Sequence, residues 1–274
     1  MIYLIYIILG LAPSVIWLLF FLRKDAHPES NRMIITVFLL AIVIVPFVAL
    51  AECIPVGLGS QEARCALSPF LKNSFPAPWG NIFSIFLGVV LIEEVAKYLV
   101  VRLKVLRSSA FDEPLDAMLY MIIAALGFAA IENILILFQP VQETFLFKRL
   151  LSIQEASVII SFRFIGATFL HALCSGTIGY FLARSFFRPS QRGILLFMGF
   201  FLATLLHGLF NIFIMKIGDS IVIENNRLII ANPELFNLSI FGLIVILTSL
   251  AIFVTLGFQN LKKLASICKI KQCS

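Results

Sequence analysis

Long apolar runs separated by short polar segments organise the whole chain. Each run is long enough to cross a membrane, because a helix needs about 20 residues to span a hydrocarbon core of roughly 30 Å. The runs are Ile2–Leu22, Met33–Ala51, Asn81–Val101, Pro114–Phe138, Ala156–Ala183, Gly193–Met215 and Leu235–Phe258. The pattern predicts an all-α fold, a polytopic transmembrane helix bundle of about seven spans.

Composition agrees with this pattern and excludes a soluble enzyme. Of 274 residues, 61% are hydrophobic and 13% are charged, whereas soluble domains are about half apolar and about a quarter charged. The mean hydropathy is +1.03. The net charge of +6 does not indicate nucleic-acid binding, because the basic residues cluster at the ends of apolar runs, where they set topology. The lipid bilayer is the expected environment.

The basic residues also predict how the chain crosses the membrane. The first run has none before it and is followed by Arg23 and Lys24, which is the reverse of a signal peptide. If the runs alternate in direction, every second loop lies on the same side of the membrane as Arg23 and Lys24. The loops on that side are about twice as rich in Lys and Arg as the loops on the other side. The richer set belongs in the cytoplasm. The N-terminus is therefore expected outside and the C-terminus in the cytoplasm.

The runs and loops divide the chain into three predicted parts. Residues 1–78 hold two N-terminal spans and an outer loop, and residues 79–215 form a four-helix core that is expected to be catalytic. Residues 216–274 hold another outer loop, the last span and a basic tail. Cys53 and Cys65 lie in the first outer loop, where an oxidising compartment permits a disulfide. Two unpaired thiols are the alternative.

A cluster of charges interrupts the third run. Glu93, Glu94 and Lys97 lie inside otherwise apolar sequence, where each charge costs roughly 2.5–3.5 kcal/mol on insertion scales. Glu93 and Lys97 are four residues apart, so on a helix they share a face and can pair. Such a cluster is by default a functional site that faces the bundle interior or water. A buried ion pair that locks helices together is the alternative.

Three more spans carry polar side chains that are unfavourable in lipid, and the first, second and seventh spans are nearly free of them. This segregation indicates that spans three to six share one polar interior. Arg163 fits a structural role, either pairing with a carboxylate or reaching towards lipid headgroups. The residues are Glu132 and Asn133 in the fourth span, Arg163 and His171 in the fifth, and His207 and Asn211 in the sixth.

Carboxylates and imidazoles that face one another suggest activation of a water molecule. A buried Glu can act as the base for a water that attacks a carbonyl group. His207 and Asn211, four residues apart, offer two donors on one helix face for a developing oxyanion. The sequence has no Gly-x-Ser-x-Gly elbow and no His-Glu-x-x-His pair. A zinc hydrolase and a non-enzymatic proton-coupled transporter or binding protein remain as alternatives.

In order along the chain, the motifs resemble those of the PrsW family of membrane-embedded proteases. That family shares a superfamily with the type II CAAX prenyl endopeptidases and the bacteriocin-immunity proteins. In the prenyl endopeptidases, His stands at the position that matches Glu132. The motifs are Glu93-Glu94-x-x-Lys97, Phe111-Asp112-Glu113-Pro114-Leu115-Asp116, Gly127-Phe128-Ala129-x-x-Glu132-Asn133, His171 with Gly179 downstream, and His207-x-x-x-Asn211.

The resemblance implies a glutamate-dependent peptidase that uses no metal and no cofactor. It implies a multi-pass protein of the bacterial inner membrane, whose substrates are membrane-anchored proteins such as anti-sigma factors. Regulated proteolysis for signalling is the process in which such cleavage takes part.

The same resemblance assigns roles to individual residues. Glu93 is expected to be the main base for water with Glu94 beside it, and Glu132 to help hold the water or its proton. His171 is expected to assist at the same centre. The expected oxyanion donors are His207 and Asn211, and the expected supporting residues are Lys97, which orients the two glutamates, Asn133 and Arg163.

Overall fold

The computed structural model describes residues 2–24, 29–52, 68–109, 111–142, 148–224 and 227–265. The predicted Cys53–Cys65 pair lies outside these residues. The helices are α1 (Ile2–Leu22), α2 (Asn31–Glu52), α3 (Ser68–Ser74), α4 (Trp79–Phe83), α5 (Leu91–Lys104), α6 (Pro114–Leu137), α7 (Ile153–Ile165), α8 (Ala167–Phe186), α9 (Arg192–Asp219) and α10 (Pro233–Ala265). A π-helical segment, Ser84–Val90, joins α4 to α5, and a 3₁₀ turn, Pro189–Gln191, precedes α9.

The prediction of an all-α polytopic bundle is confirmed. Six helical segments among the described residues are long and apolar enough to cross a membrane: Ile2–Leu22, Asn31–Ala51, Pro114–Leu137, Ile153–Phe186, Pro189–Asp219 and Pro233–Leu264. The third predicted run, Asn81–Val101, is not among them. It is divided between α4, the π-helical segment and α5, and α5 carries the charged cluster.

Two short antiparallel hairpins add a little strand structure. Strands β1 (Val141–Gln142) and β2 (Lys148–Arg149) pair between α6 and α7. Strands β3 (Ile221–Glu224) and β4 (Arg227–Ile230) pair between α9 and α10, with Ile221 opposite Ile230. The first hairpin lies in the segment between the fourth and fifth predicted spans.

Helix α6 is the centre of the bundle. It packs against α1, α2, α8 and α10 as well as α5, and its residues 115–130 are all buried. It begins with Pro114 at the first helical position and a capping box between Glu113 and Asp116. Because α1 and α2 pack directly on α6, the three-part division of the chain remains a prediction.

Glycines allow two neighbours to approach α6 closely. A Cβ on Gly127 would lie 2.3 Å from the carbonyl oxygen of Phe38 in α2. A Cβ on Gly179 of α8 would lie 2.5 Å from the Cα of Met118. Contacts this short exclude any side chain, so the backbones of these helices meet because the residues are glycines.

The fifth predicted span, Ala156–Ala183, is broken at Gly166, where α7 ends and α8 begins. Trp17 of α1 lies across this break. Its Nε1–H donates to the Phe164 carbonyl at 2.9 Å, and its ring stacks on Phe169 with ring centroids 4.2 Å apart. Helix α1 therefore braces the point at which the chain turns from Arg163 towards His171.

Candidate active site

The site is built on α5, whose charged residues point into the bundle. Glu93 is 5% exposed, and Glu94 and Lys97 are fully buried. The Lys97 ammonium lies 2.8 Å from Glu94 Oε1 and 3.4 Å from Glu93 Oε2. The spacing of three and four residues on one helix produces both ion pairs.

His171 of α8 meets this cluster from the opposite side. Its Nδ1 lies 2.8 Å from Lys97 Nζ, and its Nε2 lies 2.9 Å from Glu132 Oε2. An ammonium can only donate hydrogen bonds, so Nδ1 accepts and Nε2–H donates to the carboxylate. The contacts thus fix one tautomer of His171 and join Lys97 to Glu132 through its ring.

His207 of α9 completes the inner cluster. Its Nδ1 lies 3.2 Å from Glu94 Oε1 and donates to it, since an ionised carboxylate only accepts. Its Nε2 lies 3.9 Å from Glu93 Oε2. The rings of His171 and His207 stand edge to face, with centroids 4.8 Å apart at 86°. Five side chains from three helices therefore form one compact cluster.

A glycine sets the position of α9 at this point. A Cβ on Gly208 would lie 2.4 Å from the ring of Phe86, which belongs to the π-helical segment. The ring fills the space beside Gly208, next to His207 in the chain. The segment that leads into Glu93 is thereby packed directly against the helix that carries His207.

A second polar layer lies beyond His171. Arg163 donates to Glu132 Oε2 at 3.3 Å and to Asn133 Oδ1 at 2.5 Å. Asn133 Nδ2 donates to Thr168 Oγ1 at 3.1 Å and to the Gly10 carbonyl at 3.3 Å. Glu132 contacts His171 and Arg163, so it reaches the inner cluster through an imidazole. Arg163 pairs with the Glu132 carboxylate, which is one of the two structural roles that the sequence suggests for it.

Asn211 is placed less closely than the other candidates. It is partly buried on α9, one turn beyond His207. Within the part of the chain that the structure describes, its side-chain amide makes no hydrogen bond to another residue. The amide is therefore available to a ligand.

Sequence reasoning missed Ser175 and Thr168. Ser175 Oγ donates to Glu94 Oε2 at 2.9 Å, and both residues are fully buried. Ser175 lies four residues after His171 and so on the same face of α8, a spacing that the sequence displays. Thr168, three residues before His171, accepts from Asn133.

Exposure differs across the site. Glu94 and Lys97 have no exposed side-chain surface and Glu93 has 7%, whereas Glu132 has 23% and Arg163 has 19%. The site is closed around Lys97 and opens on the side of Glu132 and Arg163.

The multi-pass helix bundle encloses two carboxylates, two imidazoles and a lysine, a set of groups that can activate water inside a membrane. Comparison with known proteins makes the class specific. A family model described as "PrsW family intramembrane metalloprotease" matches residues 29–249. The chain belongs to this family.

Curated relatives agree with the family assignment. The chain is 27% identical to Protease PrsW of Geobacillus kaustophilus over 74% of its own length and 76% of the relative. It is 28% identical to Protease PrsW of Oceanobacillus iheyensis over 76% of its own length and 81% of the relative. It is 24% identical to Protease PrsW of Bacillus subtilis over 77% of its own length and 83% of the relative. No solved structure matches the chain significantly. The protein is therefore a peptidase and a multi-pass protein of the bacterial cell membrane, and the transporter and binding-protein alternatives are set aside.

The family description implies a metal ion, and the site can be compared with what a metal needs. Ligand atoms within 4.8 Å of one another are offered by Glu93, Glu94, His171 and His207. Zinc accepts such donors. Lys97, however, already contacts three of the four side chains. Two unit charges 4 Å apart repel by about 4 kcal/mol at an effective dielectric constant near 20, and a divalent ion doubles that energy. In this arrangement the residues do not fit a resident metal ion.

Proposed function

We propose that this peptidase cuts a membrane-anchored protein with a water molecule activated by Glu93. The observation that carries the proposal is the difference between the two adjacent glutamates. Glu94 is fully buried and its oxygens are taken by Lys97, His207 and Ser175. Glu93 keeps 7% side-chain exposure, and its partners lie at 3.4 Å or more.

This difference separates the roles of the two residues. A general base must have a lone pair within hydrogen-bond reach of the water. The ion-pair contacts of Glu93 all use Oε2, which leaves Oε1 for a water molecule. Glu94 is a positioning residue, because its Oε1 holds both Lys97 and His207 and its Oε2 accepts from Ser175.

The hydrolytic step then uses groups that this chain provides. Glu93 takes a proton from water while the water oxygen bonds to the carbonyl carbon and the C=O electron pair moves to the carbonyl oxygen. When that pair returns, the C–N bond breaks and Glu93 gives the proton to the leaving amine. One water molecule is added across the peptide bond, and Glu93 ends as a carboxylate.

His207 and Asn211 are the proposed oxyanion donors. The Lys97 ammonium has three hydrogens and three partners, Glu93, Glu94 and His171, so it has none to spare. Within the described residues the Asn211 amide makes no hydrogen bond, and His207 Nε2 lies 3.9 Å from Glu93 Oε2. Since Nδ1 of His207 already donates to Glu94, Nε2 is a second donor only on the doubly protonated ring.

The outer layer is proposed to support His171. Glu132 accepts from His171 and is itself held by Arg163, and Asn133 holds Arg163. The chain of contacts fixes the ring of His171 against Lys97. Glu132 thus acts through His171, one group farther from the reacting atoms than the sequence suggests.

The substrate class and the orientation complete the proposal. Family resemblance favours a membrane-anchored regulator such as an anti-sigma factor. If the N-terminus is outside and the third predicted run, Asn81–Val101, crosses the membrane as well, α6 runs outwards, and Glu132 and the open side of the site belong to the outer half of the membrane. Green fluorescent protein fused to the C-terminus tests the orientation, because it fluoresces when it folds in the cytoplasm and stays dark outside.

The function is tested by comparing membrane fractions from cells that express the wild type, Glu93→Gln or Glu234→Gln at equal levels. Glu234 is exposed at the start of α10, so its substitution is a matched control. New protein N-termini from membrane-anchored proteins are expected with the wild type and the control, and at least 100-fold fewer with Glu93→Gln, since general-base catalysis contributes about 10²–10⁴-fold. Equal cleavage by a folded Glu93→Gln variant would exclude the mechanism.

A further inference from the structure

The inner cluster has the composition of a metal site and contains a cation that is not a metal. Two carboxylates and two imidazoles converge from α5, α8 and α9, all buried, with ligand atoms within 4.8 Å of one another. Buried carboxylates require a compensating positive charge. The cluster therefore needs one cation, and the position that a metal ion would take is already occupied.

Lys97 provides that charge from within the chain. Its ammonium lies 2.8 Å from Glu94 Oε1, 2.8 Å from His171 Nδ1 and 3.4 Å from Glu93 Oε2. The Phe128 ring lies over the same ammonium, 4.5 Å from Nζ to the centroid, and the side chain is fully buried. Three hydrogens meet three acceptors, so the lysine saturates the cluster as a bound ion would.

We propose that Lys97 takes the place of a divalent metal ion, and that removing its ammonium uncovers a zinc site formed by Glu93, Glu94, His171 and His207. The geometry supports this because the same three groups that hold Nζ are among the four candidate ligands. His207, the fourth, is already held towards the cluster by Glu94. The proposal concerns metal binding alone and does not depend on which peptide bond the protein cuts.

The substitution Lys97→Met tests it, because Met is apolar and of similar length. Full-length wild type and Lys97→Met are purified in detergent, dialysed against buffered Zn²⁺, and analysed for metal content. We expect about one zinc per Lys97→Met chain under conditions in which the wild type holds less than about one-tenth. Stoichiometric zinc in the wild type that is lost in His207→Asn would overturn the proposal.

The double variant Lys97→Met/His207→Asn is the matched control and should hold several-fold less zinc than Lys97→Met. Replacing zinc by Co²⁺ gives visible absorption bands in Lys97→Met that the wild type lacks. Thermal unfolding provides an independent readout, because a ligand that binds the folded state raises the melting temperature. Zinc should raise the melting temperature of Lys97→Met and leave the melting temperature of the wild type unchanged.

The folding of the variant is itself informative. Without the ammonium, two carboxylates are left buried together, so Lys97→Met is expected to be less stable without metal. Purification in the presence of Zn²⁺ should restore the yield of monodisperse protein. A variant that stays unfolded in Zn²⁺, or that folds and binds none, counts against the proposal.

Discussion

Lys97 Nζ and His171 Nδ1 lie 2.8 Å apart although 73 residues separate them in the chain. This contact fixes the hydrogen on His171 Nε2 and directs it to Glu132. The imidazole thereby connects the glutamates of α5 to the Glu132–Arg163 pair. Removing any group in this series therefore affects its neighbours, and the predictions below use that dependence.

The two adjacent glutamates should respond differently to the same substitution. Glu93→Gln is expected to abolish cleavage with little change in stability, because the Glu93 contacts are long. Glu94→Gln removes a carboxylate from a buried ion pair, a loss of about 3–5 kcal/mol, and should lower the melting temperature. Thermal unfolding in detergent measures both. Equal destabilisation by the two variants would contradict the assigned roles.

Ser175 should matter through Glu94. Ser175→Ala removes a hydrogen bond to a buried carboxylate, worth about 1.5–3 kcal/mol. We expect a lower rate of cleavage at saturating substrate, with the KM changed less, since Ser175 lies behind Glu94 and away from the open side. Ser161→Ala, at an exposed position of α7, is the control. A loss confined to KM would place Ser175 at the substrate instead.

Asn133 should tie three helices together. It bonds to Arg163 of α7, Thr168 of α8 and the Gly10 carbonyl of α1. Asn133→Leu removes these three hydrogen bonds, and a buried polar group that is left without a partner costs about 1–3 kcal/mol. The melting temperature should fall, whereas Asn237→Leu on the exposed face of α10 should have little effect. An unchanged melting temperature for Asn133→Leu would show that the network adds no stability.

Gly127 should tolerate no side chain. In Gly127→Ala the new Cβ meets the Phe38 carbonyl at 2.3 Å, so α2 must move away from α6, at a cost of about 1–3 kcal/mol for overpacking. Gly193→Ala is the matched control, because nothing lies within 4 Å of its Cβ position. Comparable melting temperatures for both variants would mean that the close contact is not required.

Much of the fold follows from local sequence. The apolar runs predict the helices, and Glu113, Pro114 and Asp116 predict the start of α6, because capping and proline at the first turn are local effects. The break at Gly166 was not predicted. Trp17 of α1 contacts Phe164 and Phe169 on either side of the break, and these contacts form only when the helices pack.

By itself the sequence determined the membrane-embedded class, the helices and the list of polar residues, because hydrophobic length and intramembrane charge are properties of single segments. It also placed Glu93, Glu94 and Lys97 on one helix face through their spacing. Only the tertiary structure decided that Lys97 reaches His171, that Ser175 holds Glu94 and that Glu132 lies behind an imidazole. These contacts join residues of different helices, so the packing of α5, α6, α8 and α9 sets their distances.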